Sequence, residues 1–292
     1  MFDLEVTEVS SLEEYRIFAF RIGQKTRRRE FEVREFIKKS RSSVVTGFCC
    51  ICKANMQFSL PLNHANTDSE DSLNWRECLE CSACHLNNRK RGSFHLFELF
   101  GVPQLESAIY VTEQRSPFYS ALNKLYPRTV GSEYYGTSYP YGEERLIRVA
   151  HDQMKIRNET ITALTFQDNC FDFVLSFEVF EHIPDYRKAL CECWRCLKQG
   201  GKLFFTVPFN TDSQPNIARS VLNPDGTIVH LLPPEYHSDP EQEGGILAYH
   251  NFGWDLLKDL REIGFRKATG LFCWSLRFVY WGRSNIVFMA QK

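Results

Sequence analysis

This sequence of 292 residues has a formal net charge of only −1. It also lacks long apolar runs and an N-terminus that resembles a signal peptide. Lysine and arginine total 35 against 36 acidic residues, so the chain has no overall positive field to attract nucleic acid or an acidic membrane. No apolar run approaches the ~20 residues that span a bilayer. The N-terminal stretch, MFDLEVTEVSSLEE, is acidic and lacks the apolar core of a signal peptide. We therefore expect a cytoplasmic protein that does not span a membrane.

Cysteine, in contrast, is abundant, with 11 residues. In a small secreted chain this number would indicate disulfides. In a longer chain without a signal peptide, metal binding or reduced core thiols are the better interpretations. Two short basic runs, at residues 25–29 and 89–91, are interpreted as solvated faces rather than nucleic-acid contacts.

Two Cys-x-x-Cys pairs predict a structural zinc site. Cys49 and Cys52 form the first pair, and Cys81 and Cys84 form the second. Each pair can form a tight turn that presents two thiolates to one ion, and four thiolates make a closed tetrahedral zinc site. A closed site has no position for water, so the metal is expected to support folding rather than catalysis. The alternative is a set of reduced structural thiols.

Other possible ligands are weaker because they lack a paired partner. Cys78 lies three residues before Cys81, so it could replace a member of the second pair. His64 and Asp68 lie between the two pairs and are poorer candidates. The cysteines at 191, 193 and 196 fall in a predicted helix and are interpreted as buried thiols. Residues 87–91 follow the second pair and are predicted to cap a helix, although they could also line a site.

Residues 169–210 predict one strand–helix–strand unit. Residues 171–177 are an almost continuous apolar run, typical of a strand that is buried on both faces. A helix is predicted over 186–197, ended by the glycines at 200 and 201, and a second strand over 202–207. Glu178, Glu181 and His182 lie between the first strand and the helix, where α/β sheets bind their ligands.

The block FDFVLSFEVFEHIPD, followed by AL and LKQGGKLFFTVP, resembles the central part of class I S-adenosylmethionine-dependent methyltransferases of the type 11 kind. The resemblance extends from about residue 107 to the C-terminus. It implies an α/β fold with a doubly wound, mostly parallel, seven-stranded Rossmann-like sheet. The domain division is then 1–100 for a helical and zinc-binding part and 101–292 for the methyltransferase part, with a long insertion at about 208–249.

The remaining elements are predicted from apolar periodicity and turn residues. Helices are expected over residues 11–40, 95–100, 116–125 and 252–263. Strands are expected over residues 108–111, 130–134, 158–164, 272–278 and 285–290.

The resemblance also implies a cofactor, S-adenosylmethionine, and residues that hold it. The loop after the first strand is usually glycine-rich in the family, but here it is TEQRS. Glu113 in this loop could face the cofactor's ammonium group, and Glu133 ends the second strand, where an acid normally binds a ribose diol. Thr160 stands where the family often has an acid for adenine. Ser176 and Glu178 complete the expected cofactor set.

His182, His237 and His250 are the candidate catalytic bases, because imidazole titrates near neutral pH. The polar and aromatic insertion favours a small polar acceptor, such as a sugar or a sugar-containing metabolite. The alternative function is a catalytically inactive, methyltransferase-like binding or scaffolding protein with a structural zinc site, which the missing glycine loop would favour. A zinc-dependent nucleic-acid binder is a third possibility, disfavoured by the balanced charge.

Overall fold

The computed structural model describes residues 4–40, 43–60, 74–149, 152–237, 244–282 and 285–292. The chain forms two compact units. The first consists of residues 1–103 and 270–287, and the second of residues 104–269 and 288–292. The predicted domain boundary at residue 100 lies near the break at 103, whereas residues 270–287 group with the N-terminal unit.

The helices and strands follow in chain order. Before residue 104 they are β1 (Glu5–Val9), α1 (Leu12–Ser40), β2 (Val44–Cys49), β3 (Ala54–Ser59) and α2 (Asn88–Gly101). After it come β4 (Ile109–Val111), α3 (Pro117–Leu125), β5 (Thr129–Gly131), β6 (Glu144–Val149), β7 (Asp152–Arg157), β8 (Phe171–Phe177), α4 (Tyr186–Cys196) and β9 (Leu197–Thr206). The remainder are β10 (Ile217–Ala218), β11 (Ser220–Leu222), β12 (Ile228–His230), β13 (Tyr236–His237), β14 (Ile246–Leu247), β15 (His250–Asn251), α5 (Asp255–Ile263), β16 (Lys267–Trp274) and β17 (Ile286–Gln291).

A seven-stranded sheet with the order β1-β16-β17-β9-β8-β4-β5 confirms the predicted Rossmann-like fold class. The strands β9, β8, β4 and β5 are mutually parallel. Strand β17 runs antiparallel to β9, and β1 runs antiparallel to β16. The sequence did not predict β1, which supplies one of the seven strands.

The predicted third strand, residues 158–164, is wrong. The chain instead forms a hairpin of β6 and β7 outside the main sheet, and a parallel bridge joins Glu133 to Asn158 at this edge. The residue pattern suits such a hairpin, because DQMKIR alternates polar and apolar side chains after its first residue and three of the six residues in ERLIRV are charged. Polar side chains suit an antiparallel pair with one solvated face, and Leu146 is 56% exposed.

The strand–helix–strand unit forms as predicted except at one junction. Strand β8 has the predicted bounds, and Val174 and Leu175 within it are fully buried. Helix α4 begins after Asp185, whose side chain accepts a hydrogen bond of 3.0 Å from the Lys188 N–H. The glycines do not cap this helix. It ends at Cys196, strand β9 starts at Leu197, and Gly200 adopts a left-handed φ of 77° within an irregular stretch of the strand.

The insertion is less irregular than the proline-rich sequence suggested. It contains three short antiparallel pairs, β10 with β15, β11 with β12, and β13 with β14. Asp239 and the residues around it lie outside the described part of the chain. Within the described residues, no helix is both long enough and apolar enough to cross a membrane.

The N-terminal unit has its own core, which includes a buried arginine. Trp75 and Trp281 meet edge to face, with ring centroids 5.8 Å apart. Arg91 is fully buried, and its guanidinium lies 4.1 Å from the centroid of the Phe58 ring. The predicted helix cap is confirmed, because the Asn87 side chain accepts a hydrogen bond of 2.9 Å from the Lys90 N–H at the start of α2.

Candidate functional site

Four cysteine sulfur atoms converge in the N-terminal unit. The Sγ atoms of Cys49 and Cys84 are 3.8 Å apart, as are those of Cys52 and Cys81. All four sulfurs lie within 4.8 Å of one another. Zinc–sulfur bonds of about 2.3 Å in a tetrahedron place the sulfurs about 3.8 Å apart. The four thiols that the spacing singled out therefore match the dimensions of a tetrahedral metal site.

Left-handed residues shape both turns that carry these cysteines. The first turn joins β2 to β3, and Lys53 there has a φ of 54°. In the second turn, His85 has a φ of 57° and its N–H donates to the Cys81 carbonyl at 3.0 Å. Cys78 is not a member of the cluster, and His64 and Asp68 lie outside the described residues.

The thiols would not all be ionised without a cation. Burial raises the pKa of Cys52 to about 12, whereas the hydrogen bond from Cys84 lowers the pKa of Cys49 to about 5. The same hydrogen bond, followed by burial, raises the pKa of Cys84. Four thiolates at neutral pH therefore require a positive charge at the centre of the cluster. Cys50, which is buried and has a pKa raised to about 12 by burial, is a core thiol 3.1 Å from the Tyr280 hydroxyl.

In the second unit, Glu133 lies just beyond β5, at the edge where the parallel strands β4, β5 and β8 end. Its Oε1 accepts hydrogen bonds of 2.8 Å from the N–H groups of Gln114 and Arg115. Burial raises the pKa of Glu133, opposed by these two hydrogen bonds. Both hydrogen bonds use Oε1, and Oε2 has no hydrogen bond to the part of the chain that the structure describes, so it could accept from a ligand.

The loop without glycine is accommodated by a glycine on the neighbouring strand. A Cβ atom on Gly131 would lie 2.8 Å from the Glu113 carbonyl oxygen and 2.9 Å from the Gln114 Cβ. The Gln114 side chain fixes the loop further, donating to the Lys155 carbonyl and accepting from the Arg157 N–H, each at 2.9 Å. The sequence signal for this arrangement was a glycine at the end of β5, which our prediction did not use.

The other expected cofactor residues are distributed along the same edge. The Thr112 hydroxyl donates to the fully buried Ser176 hydroxyl at 3.2 Å, which joins the ends of β4 and β8. The hydroxyls of Thr160 and Thr162 are 3.1 Å apart. Glu178 follows β8 in a left-handed conformation, with a φ of 57°, and its N–H donates to the Thr206 carbonyl at 2.9 Å. A side chain other than glycine held in this conformation is strained.

Two of the three candidate histidines lie together beside a buried carboxylate. Glu181 is fully buried in the 3₁₀ turn Phe180–His182. Its Oε1 is 3.7 Å from His182 Nε2 and 3.8 Å from His237 Nδ1. From its place in the sequence Glu181 is expected near the ligand edge, but it is not among the predicted site residues.

His250 is not part of this group. Its Nε2 donates to the Pro184 carbonyl at 3.0 Å, and its ring packs edge-on against Tyr186, with centroids 4.8 Å apart. Burial lowers the pKa of His250, so the ring is neutral at physiological pH. These contacts hold the ring in the packing of the second unit.

Comparisons with known proteins agree with this arrangement. Residues 117–205 match the family model described as a methyltransferase domain. Phosphoethanolamine N-methyltransferase 2 of Caenorhabditis elegans is 34% identical over 64 residues, which are 22% of this chain and 15% of that protein. A sarcosine/dimethylglycine N-methyltransferase of Halorhodospira halochloris is 36% identical over 66 residues, which are 23% of each chain.

The chain spans less than half the length of these curated relatives. The solved structure of an S-adenosylmethionine-dependent methyltransferase from Mesorhizobium loti covers 69% of this chain and 98% of its own, at 10% identity and a TM-score of 0.41. The family match begins at the start of α3 and ends in β9, so it contains Glu133, Ser176 and the turn after β8 but not β4 or the loop after it. Residues 117–205 of this chain are therefore similar to a methyltransferase domain.

Proposed function

We propose that this protein is an S-adenosylmethionine-dependent methyltransferase that acts on a small polar acceptor, such as a sugar or a sugar-containing metabolite. The observation that carries the proposal is that the Glu133 carboxylate, within the family match of residues 117–205, binds the loop after β4 at the carboxyl edge of the sheet. Ligands of open α/β sheets bind at the carboxyl ends of the strands. We also propose a cytoplasmic location and no nucleic-acid partner.

The residues at this edge fit the cofactor. Glu133 has Oε2 available to accept from a ribose hydroxyl, while Oε1 holds the loop in place. Glu113 would face the ammonium group, and Thr160, Ser176 and Glu178 would line the remaining wall. S-adenosylmethionine supplies an activated methyl group, so the protein contributes mainly proximity and orientation.

A proton acceptor is needed only when the acceptor is a hydroxyl or a protonated amine. His182 and His237 suit this role better than His250, because they lie beside Glu181, whereas His250 Nε2 is engaged with a backbone carbonyl. His250 would instead help to pack the end of the insertion against Tyr186 at the start of α4.

The second candidate function is a methyltransferase-like binding protein without catalysis. It is favoured by the use of the loop amides: the Gln114 and Arg115 N–H groups donate to Glu133 rather than being open to a ligand. Such a protein would retain the fold and lose the cofactor.

Calorimetric titration with S-adenosylmethionine and S-adenosylhomocysteine separates the two functions. We expect binding of both, weakened at least tenfold in Glu133→Gln, because the amide cannot supply two acceptor oxygens. Glu143→Gln, at an exposed position, is the matched control and should bind like the wild type. If neither compound binds at millimolar concentration, the proposal of an enzyme is refuted and that of a binding protein without catalysis is supported.

We further propose that the four-cysteine cluster holds one structural zinc ion, supported by the tetrahedral sulfur spacing. Elemental analysis of protein purified without added metal should find about one zinc per chain. Cys81→Ser should lose the metal, whereas Cys78→Ser should retain it. Full zinc content in Cys81→Ser would refute the ligand set.

A further inference from the structure

We propose that Glu181, His182 and His237 form a second, divalent-metal site that binds the methyl acceptor. The inference rests on the proposed function for the role of the metal, but the site itself rests on geometry. One ligand atom from each of the three residues lies within 4.8 Å of the other two. The two imidazole rings stand edge to face, with centroids 4.9 Å apart.

Each of the two histidine rings makes a hydrogen bond on the side away from Glu181. That hydrogen bond fixes which ring nitrogen carries the proton, and the other nitrogen then faces Glu181 with a lone pair. His182 Nδ1 is 2.9 Å from the Leu247 carbonyl, which can only accept, so Nδ1 carries the proton. His237 Nε2 is 3.2 Å from the Glu235 carboxylate, so Nε2 carries the proton. In the neutral rings, His182 Nε2 and His237 Nδ1 are therefore both acceptors that face Glu181.

Three electron-pair donors thus point towards one another. The separations of 3.7 and 3.8 Å between Glu181 Oε1 and the two nitrogens are too long for hydrogen bonds. A cation placed between them would have these three atoms as ligands. The outer hydrogen bonds match the usual environment of metal-binding histidines, whose second ring N–H donates to a carboxylate or a backbone carbonyl.

Two nitrogens and one carboxylate oxygen suit a divalent ion such as Mn²⁺, Fe²⁺ or Zn²⁺, and leave open positions for other ligands. Bonds of about 2.1 Å place neighbouring ligand atoms about 3.0–3.4 Å apart. The two distances to Glu181 need to shorten by about half an ångström, which small rotations of the Glu181, His182 and His237 side chains would supply.

The placement suggests what the open positions bind. Glu181 and His182 come from the turn directly after β8, and His237 comes from the insertion. The strained Glu178 begins the same turn, and its left-handed φ directs the chain from the strand into this turn. Because the turn borders the edge proposed to hold the cofactor, a metal here would bind an oxygen atom of the acceptor. The proposed acceptor class is therefore a compound with hydroxyl or carboxylate oxygens.

Titration of the protein with Mn²⁺, followed by electron paramagnetic resonance, tests the site without any need for turnover. Mn²⁺ prefers oxygen and nitrogen ligands, so it does not compete for the thiolate cluster. We expect one bound Mn²⁺ per chain, with electron spin-echo modulation from histidine nitrogen.

His237→Gln should weaken Mn²⁺ binding at least tenfold. This residue is partly exposed on a hairpin, so its replacement avoids the folding risk of changing the buried Glu181. The matched control is His230→Gln, an exposed histidine in the same insertion, which should bind Mn²⁺ like the wild type.

Equal Mn²⁺ affinity in the wild type and His237→Gln, or no binding by the wild type at millimolar Mn²⁺, would overturn the proposal. Binding of S-adenosylmethionine is measured separately on the same samples. If the wild type binds Mn²⁺ but does not bind S-adenosylmethionine, the proposed function is refuted and the metal site is supported.

Discussion

Replacing the buried Arg91 should destabilise the N-terminal unit more than any exposed arginine would. Its guanidinium donates to the carbonyl oxygens of Phe278 at 2.7 Å, and of Leu79 and Val279 at 3.2 Å each. These bonds connect the segment before the second cysteine pair to residues far along the chain. Arg91→Met keeps an apolar stem beside the Phe58 ring but removes all three bonds.

The cost follows from the carbonyl groups that lose a donor. A buried acceptor without a partner costs about 1–3 kcal/mol. We take about 1 kcal/mol for each of the three carbonyl groups. The lower value is used because Arg91→Met also removes the cost of burying a cation, which offsets part of the lost hydrogen-bond energy. The expected loss is about 3 kcal/mol for Arg91→Met. Arg91→Lys should lose less, since it keeps the charge but lacks the planar fork.

The stability of the N-terminal unit can be measured separately by unfolding the protein in urea and monitoring hydrogen exchange in peptides from residues 44–60 and 270–282. The midpoint for these peptides should fall in Arg91→Met, and zinc should be released at lower urea. Arg28→Met is the control, because Arg28 is exposed and its ion pair with Glu32 lies on the surface of α1, so we expect no measurable change. An unchanged midpoint in Arg91→Met would show that the buried bonds contribute no net stability.

Three further changes test other parts of the structure. Gly47→Ala would push a Cβ into Val279 and should cost about 1–3 kcal/mol of unfolding free energy; a normal urea midpoint would contradict this. Burial lowers the pKa of His95 to about 4, from 6.5, so the unfolded chain binds more protons below pH 6.5. Stability should therefore fall as the pH drops from about 6.5 to 4, and His95→Phe should flatten that part of the pH profile; an identical profile would refute the assignment. Glu178→Gly should raise the thermal midpoint by removing about 1 kcal/mol of left-handed strain, and a lower midpoint would show that the strain is absent.

Apolar periodicity predicted the elements whose environment is uniform. Strand β8 is buried along its length, and its bounds were recovered from the sequence. The prediction failed where neighbouring elements override local preference. The glycines at 200 and 201 suggested a helix cap, yet both lie within β9, where the Gly200 N–H donates to the Lys292 carbonyl at 3.1 Å and the Gly201 carbonyl accepts from the Lys292 N–H at 3.0 Å. Strand β1 escaped prediction because it is short, and only its pairing with β16 makes it a strand.

The four-cysteine cluster could be predicted from the sequence, whereas the group of Glu181, His182 and His237 could not. The four cysteines could be selected from their spacing, because each pair is a local motif that needs only a tight turn. Glu181, His182 and His237 could not be grouped in the same way. His237 is far from the other two along the chain, and a short hairpin brings it back to them. Likewise, the close approach at Gly131 is a contact between two elements, and no pattern within the loop itself encodes it.

The chain order of the N-terminal unit has a consequence for biosynthesis. The two cysteine pairs are translated before residues 104–269, whereas Val279 and Trp281, which complete the core around Cys49 and Cys81, are translated after them. Residues 104–269, which form most of the second unit, are translated in between. The thiols must therefore wait for their hydrophobic cover while the second unit can already fold. If the cluster binds zinc as proposed, metal capture would compete with thiol oxidation during that interval, and the supply of zinc during translation would influence the yield of folded protein.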